Sequence, residues 1–234
     1  MLEYEIGRGR RSPRGYSFDE VSVVPNRRTR DTDDVSLEWQ IDAYTFASPL
    51  MTAPTDSVVS PATAATLADL GLLSVLNLEG LWTRYEDAEP LLAEIRELPA
   101  HLATRRMQEI YAEPVKEELV LQRVAELRAG GGVVAGALSP AATAEHAERV
   151  VAAGLDLLVI RGTTVSAEHV SSADQPLNLK EFIYELDVPV IVGGCATYQS
   201  ALHLMRTGAA GVLVGFGGGA AHRTARVLGV RVPM

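Results

Sequence analysis

Residues 188–223 read VPVIVGGCATYQSALHLMRTGAAGVLVGFGGGAAHR, and the reading of this stretch decides the fold. An apolar run, Val188 to Val192, ends in two glycines. A helical stretch over 197–207 ends in Thr207-Gly208, and a second apolar run, Gly211 to Val214, opens into glycines again. A glycine after a helix supplies the left-handed residue that turns the chain back into a strand. Strands that are apolar at every position fit a parallel sheet buried on both faces.

The same unit recurs upstream. Asp69-Leu70-Gly71 precedes LLSVLN, Arg128-Ala129-Gly130 precedes GGVVAGALS, and Ala153-Gly154 precedes LDLLVIRG. Six strands follow: Pro49 to Thr52, Leu73 to Leu76, Val133 to Leu138, Leu157 to Ile160, Val188 to Val192 and Gly211 to Val214. Helices are expected near 61–69, 85–97, 100–112, 115–129, 141–153, 178–186 and 197–207. Such alternation means an α/β fold with right-handed crossovers. Start-to-start spacings are mostly 22 to 31 residues, which favours a (β/α) barrel; one interval, from the second strand to the third, is 60 residues and carries extra helices. A closed barrel needs eight strands in roughly 250 residues. Met234 follows soon after the sixth, so the expectation is an incomplete (β/α)8 TIM barrel with about six of its eight strands, and an open doubly wound sheet is the alternative. Residues 1–45 are expected to form an N-terminal arm with a short strand, Val21 to Val24, and residues 46–234 the partial barrel.

Composition removes several function classes. With 47% apolar residues in 234 the chain can build a substantial core. A net charge of −9 argues against sequence-independent nucleic-acid binding, which needs a basic surface. No apolar stretch approaches the ~18 residues of a spanning helix, and MLEYEIGRGRRSPRG lacks an apolar h-region, so no membrane association is expected. A single cysteine, Cys195, forms no internal disulfide and makes the cytoplasm the default address. Seven arginines between Arg8 and Arg30 read as a solvated arm, or as a local patch for phosphate or an acidic neighbour.

In a barrel, functional groups sit where strands end. Those positions hold Asp56 after the first strand, Asn77-Leu78-Glu79-Gly80 after the second, Ser139 after the third, Arg161-Gly162-Thr163 after the fourth, Gly194-Cys195 after the fifth, and Gly215 to Gly219 after the sixth. Arg161 closes an apolar strand and needs an anion or carbonyl partner: a ligand phosphate or carboxylate, or a structural Asp such as Asp56. Cys195 is packing or nucleophile. The histidines show no metal-ligand spacing, and no metal site is expected.

Tyr16-Ser17-Phe18-Asp19-Glu20-Val21 with Val24-Pro25, then SPLMTAPTDSVVSP at 48–61, LGLLSVLNLEG at 70–80 and the stretch from Val188 to Thr224, resemble the IMP dehydrogenase / GMP reductase family. VIRGTTVSAEHVSS and MQEIYAEPVK bring the chain nearest to the actinobacterial IMP-dehydrogenase-related paralogues. The resemblance implies a (β/α)8 barrel without a CBS insertion, cut after about three-quarters of its length, so that the natural product is expected to continue past Met234 or to receive the missing strands from a second chain. It implies a purine nucleotide (IMP, GMP or XMP) as ligand, NAD or NADP as cofactor, a monovalent cation, and assembly as a homo-tetramer or with an active paralogue.

The same resemblance assigns site residues. Asp56, Gly194, Gly215, Gly217, Gly219 and Ala220 fall on nucleotide-binding positions, and Arg161, Gly162 and Thr163 on cofactor-binding ones. Gly217, Gly219 and the His222 backbone fall on the cation loop, and His222 and Thr224 on the catalytic loop. Several of these depart from the family pattern. His222 stands at the nucleophilic cysteine, Ala220 at the phosphate-binding serine, Gly194 at an asparagine, Arg161-Gly162-Thr163 at Asp-Ser-Ser, and Ala53-Pro54-Thr55-Asp56 keeps only the acid of Ser-x-Met-Asp. Two functions are therefore expected as alternatives: an oxidoreductase-type barrel of purine nucleotide metabolism, or a catalytically silent paralogue acting in assembly or regulation.

Overall fold

The computed structural model describes residues 3–25, 27–162, 165–166, 177–215 and Val227. Two antiparallel hairpins come first, β1 (Glu3–Gly7) with β2 (Arg10–Pro13), and β3 (Trp39–Ile41) with β4 (Tyr44–Phe46). The main sheet holds β5 (Val75–Asn77), β6 (Ala135–Leu138), β7 (Leu157–Arg161), β8 (Val190–Cys195) and β9 (Gly211–Val214), all parallel and adjacent in chain order. Seven α-helices are described: α1 (Pro61–Asp69), α2 (Glu89–Glu97), α3 (Ala100–Ile110), α4 (Glu117–Ala129), α5 (Pro140–Ala152), α6 (Leu179–Glu185) and α7 (Tyr198–Met205). All seven lie where glycine punctuation and apolar spacing put them. Consecutive parallel neighbours are the order of a singly wound barrel wall, which excludes the doubly wound alternative. Among the described residues the wall does not close.

Two expected strands differ. The first, Pro49 to Thr52, is reduced to a bridge between Met51 and Leu73. Its pairing is interrupted because Val75 N–H donates to the Thr52 side-chain Oγ1 at 2.9 Å instead of to a backbone carbonyl. Val21 to Val24 forms no strand. Among the described residues no partner strand lies beside it, and Val23 and Val24 are 98% and 81% exposed; a lone apolar run without a ladder stays an extended arm. The seven arginines of that arm are all exposed, in agreement with the solvated reading.

Alternation along the strands divides the core into two layers. Val75, Ala135, Ala137, Leu157, Val159 and Ile191 point to the inner face, where Trp39, Ile41 and Phe46 of the second hairpin cover them. Leu76, Leu138, Leu158, Ile160, Val190 and Val192 point outward against the helices. Arg161 has the parity of Leu157 and Val159, so it stands at the inner mouth of the sheet's carboxyl edge. Opposite it in register is Gly193.

Helix starts face that edge. Ser60 caps α1: its Oγ accepts from Thr63 N–H at 3.1 Å while Thr63 Oγ1 accepts from Ser60 N–H at 2.8 Å. Ser60 is buried, so water cannot replace the lost cap. Ser60→Ala is expected to lower stability by about 1 kcal/mol in urea unfolding; no change would show that the cap is dispensable.

Candidate functional site

Of the residues that the sequence points to, Asp56, Arg161, Gly162, Gly194 and Gly215 are described, and the carboxyl edge pairs Arg161 and Asp56 differently from expectation. Asp56 is buried in the loop after the Met51 bridge. Its Oδ2 accepts a hydrogen bond from the Tyr111 hydroxyl at the end of α3, and its carbonyl accepts from Trp82 Nε1 at 3.0 Å. Oδ1 is buried with no partner in full hydrogen-bond geometry among the described residues. Burial raises the Asp56 carboxyl above its ordinary value, opposed first by the Tyr111 hydrogen bond and then by weaker influences from Leu81 N–H, Asn77 and Arg84. Burial and Asp56 together push the Tyr111 phenol upward as well. An acid raised in the folded state loses stability for the fold as the pH climbs from its unfolded to its folded value, and acidification below that window restores it. Gly80 is required beside it, since a Cβ there would lie 1.8 Å from Oδ1.

Arg161 does not pair with Asp56. Its Nη1 donates to the Pro54 carbonyl at 3.0 Å, across 107 residues of sequence. The guanidinium is exposed at the mouth and ties the end of β7 to the loop that carries Asp56. Glu79, the other carboxylate at this edge, is satisfied internally. Its Oε1 accepts from Ser139 Oγ at 2.9 Å and its Oε2 from Ser139 N–H. Both acids thus accept hydrogen bonds from internal donors, and among the described residues of the inner mouth Arg161 presents an exposed charge.

The glycines stitch the strand ends together. Gly162 N–H donates to the Gly193 carbonyl at 2.9 Å, Gly194 N–H to the Gly162 carbonyl at 3.1 Å, and the Gly194 carbonyl accepts from Val165 N–H at 3.0 Å. Gly215, at φ 94°, donates its N–H to the Cys195 carbonyl at 2.6 Å. Cys195 is 2% exposed, and burial pushes its thiol up against a weaker hydrogen bond from Ser200. A thiol so placed is packing, and its reading as a nucleophile is withdrawn. Thr163, Gly217, Gly219, Ala220, His222 and Thr224 lie outside the described residues. Among the described residues no cluster of His, Cys, Asp or Glu could hold a metal ion, and no helix is long and apolar enough to cross a membrane.

What the sequence did not reveal is the collar behind the mouth. The turn at 81–86 is held by Arg123 of α4, which is 5% exposed and donates to the carbonyls of Trp82 at 2.8 Å and Glu86 at 2.5 Å. Arg84 donates to the Glu79 and Glu113 carbonyls and lies over the Tyr111 ring, 5.8 Å from its centroid. A cavity of 450 Å³ opens beside this collar, between the start of α1 and α2, with Asp56, Ser60, Trp82 and Arg96 in its wall. A larger one of 680 Å³ lies between α6 and the Arg206–Gly208 turn.

Comparison with known proteins places this geometry in context. The model of the IMP dehydrogenase / GMP reductase domain matches residues 15–234. An uncharacterized oxidoreductase of Mycolicibacterium smegmatis is 48% identical over 98% of this chain and 63% of its own length. One from Mycobacterium tuberculosis is 49% identical over the same shares. The crystal structure of an IMP dehydrogenase/GMP reductase-like protein from Corynebacterium glutamicum superposes with a TM-score of 0.91 at 45% identity, covering 99% of this chain and 62% of that one. The chain therefore spans a little under two thirds of the length of these relatives.

Proposed function

Because this chain belongs to the IMP dehydrogenase / GMP reductase family, we propose that the protein it represents is an oxidoreductase-type barrel that binds a purine nucleotide at the carboxyl edge of its sheet. One observation carries the reading: Arg161 stands exposed at the inner mouth, anchored on Pro54, while Asp56 and Glu79 are turned to internal donors. A guanidinium so held offers donors to a phosphate, with no free carboxylate against it among the described residues. By family resemblance Gly215, Gly217, Gly219 and Ala220 fall on phosphate-binding positions, and Gly217, Gly219 and the His222 backbone on those of a monovalent cation.

NAD or NADP is the cofactor that family membership suggests. The described end of β7 does not fit the usual grip on a ribose, which needs an acceptor for its hydroxyls. Arg161 only donates, and the Gly162 backbone is engaged by Gly193 and Gly194. It fits a phosphate or a carbonyl oxygen.

A second reading, a silent paralogue that binds nucleotide and acts through assembly with an active one, is favoured by His222 at the position of the nucleophilic cysteine. Imidazole is a poorer group than thiolate for a covalent adduct that must release hydride.

Thermal unfolding of the whole protein with saturating IMP, GMP or XMP tests the binding reading. A shift of several degrees in Tm is expected with at least one; no shift with any of the three would sink it. NADH formation from IMP and NAD, or NADPH loss with GMP, separates the two readings. Arg161→Ala is expected to weaken nucleotide affinity about 10- to 100-fold, the loss of a charge-assisted hydrogen bond, with calorimetric titration as the check.

A further inference from the structure

The loop after the Met51 bridge is held from two sides, and the holds are two residues apart. On one side the Arg161 guanidinium donates to the Pro54 carbonyl at 3.0 Å. On the other, the Tyr111 hydroxyl donates to the Asp56 carboxylate and Trp82 Nε1 to the Asp56 carbonyl. Pro54 and Asp56 are both buried, and the one residue between them, Thr55, is held by its carbonyl, which accepts from Val58 and Val59 N–H at 2.8 and 3.0 Å. Tyr111 belongs to the 60-residue interval, on helices that are no part of the barrel wall, and it reaches back across 55 residues to this loop. Gly80 packs against Oδ1 on the remaining side, where a Cβ would lie 1.8 Å from it.

We infer that Tyr111 is a positioning residue for Arg161: by fixing the Asp56 carboxylate it fixes the Pro54 carbonyl, and through that carbonyl it sets where the guanidinium meets an anionic ligand. The helices between the second and third wall strands thereby tune the mouth. This inference rests on the reading of Arg161 as the anion contact, and its test keeps the two apart.

The test uses the whole protein with IMP as probe, in wild type, Tyr111→Phe, Arg161→Ala and the double variant. Tyr111→Phe is expected to weaken IMP binding on the order of tenfold, and to have no further effect once Arg161 is alanine. It is also expected to move the Nε–Hε resonance of Arg161 in NMR spectra without ligand. Asp56→Asn keeps an acceptor for Tyr111 and should retain the wild-type resonance. Val124→Ala, a core truncation in α4, controls for lost stability and should leave the resonance in place.

An unmoved Arg161 resonance in Tyr111→Phe, or equal weakening by Tyr111→Phe with and without Arg161, overturns the inference. Should Arg161→Ala bind IMP as well as wild type while Tyr111→Phe still moves the resonance, the anion reading fails and the positioning relation stands.

Discussion

Arg123→Ala is expected to lower the unfolding free energy by about 3 kcal/mol, measured by urea titration. The side chain is 5% exposed and holds the turn at 81–86 by bonds to the Trp82 and Glu86 carbonyls, with Glu126 closing the far side at 2.7 Å. Truncation leaves those carbonyls without a donor in a place water reaches poorly, at about 1–3 kcal/mol for each buried group. Glu126 is 35% exposed and re-solvates, so the penalty stays below that of stranding a fully buried charge. Arg123→Lys keeps the charge but loses the fork, and it should recover less than half of the deficit. A cost under 1 kcal/mol for the alanine would mean that α4 holds the turn through apolar packing alone.

Gly193→Ala is the other severe change, expected to cost 3 kcal/mol or more as a rough figure for overpacking against rigid atoms. A Cβ at Gly193 would lie 2.4 Å from Leu213 Cβ, 2.6 Å from the Leu213 carbonyl oxygen and 2.9 Å from Leu213 Cα. Two of these are backbone atoms of the neighbouring strand, which a change of rotamer cannot move. Relief requires β8 and β9 to part at the mouth, the point where Arg161 faces Gly193 in register. Gly211→Ala makes a matched control on the same strand pair, because its nearest contact is 3.2 Å to a side-chain atom of Ile191. The two denaturation midpoints should differ clearly; equal midpoints would show that the sheet yields at Gly193 without strain.

These two sites show how far the sequence reaches. Strands buried on both faces are apolar throughout, α1, α4, α5 and α7 stop at glycines, and apolar spacing marks the other helices, so β5 to β9 and α1 to α7 could be read in order. Val21 to Val24 has the composition of a strand and none of the partners, and local composition cannot report a missing ladder. Thr52 disrupts the first strand through a side-chain acceptor that β-propensity counts in its favour.

Positions at the mouth were legible because strand ends define them. Their pairings were not: Arg161 with Pro54 spans 107 residues, Glu79 with Ser139 spans 60, and Asp56 with Tyr111 spans 55. Asp56 was a reasonable partner for Arg161 by charge alone. It is taken by a tyrosine whose reach depends on how α2 and α3 fold back, and no periodicity encodes that.

The chain has two tryptophans, one in each layer of the core. Trp39 packs against Phe46 with ring centroids 5.1 Å apart and donates to the Ser48 carbonyl at 2.6 Å, within the hairpin at the amino end. Trp82 is 7% exposed at the carboxyl end and hydrogen-bonded to Asp56. The protein thus carries two built-in optical reporters. Emission from Trp82 should follow events at the mouth and emission from Trp39 the seating of the hairpin, so that one phenylalanine replacement at each position turns intrinsic fluorescence into a separate readout for either end.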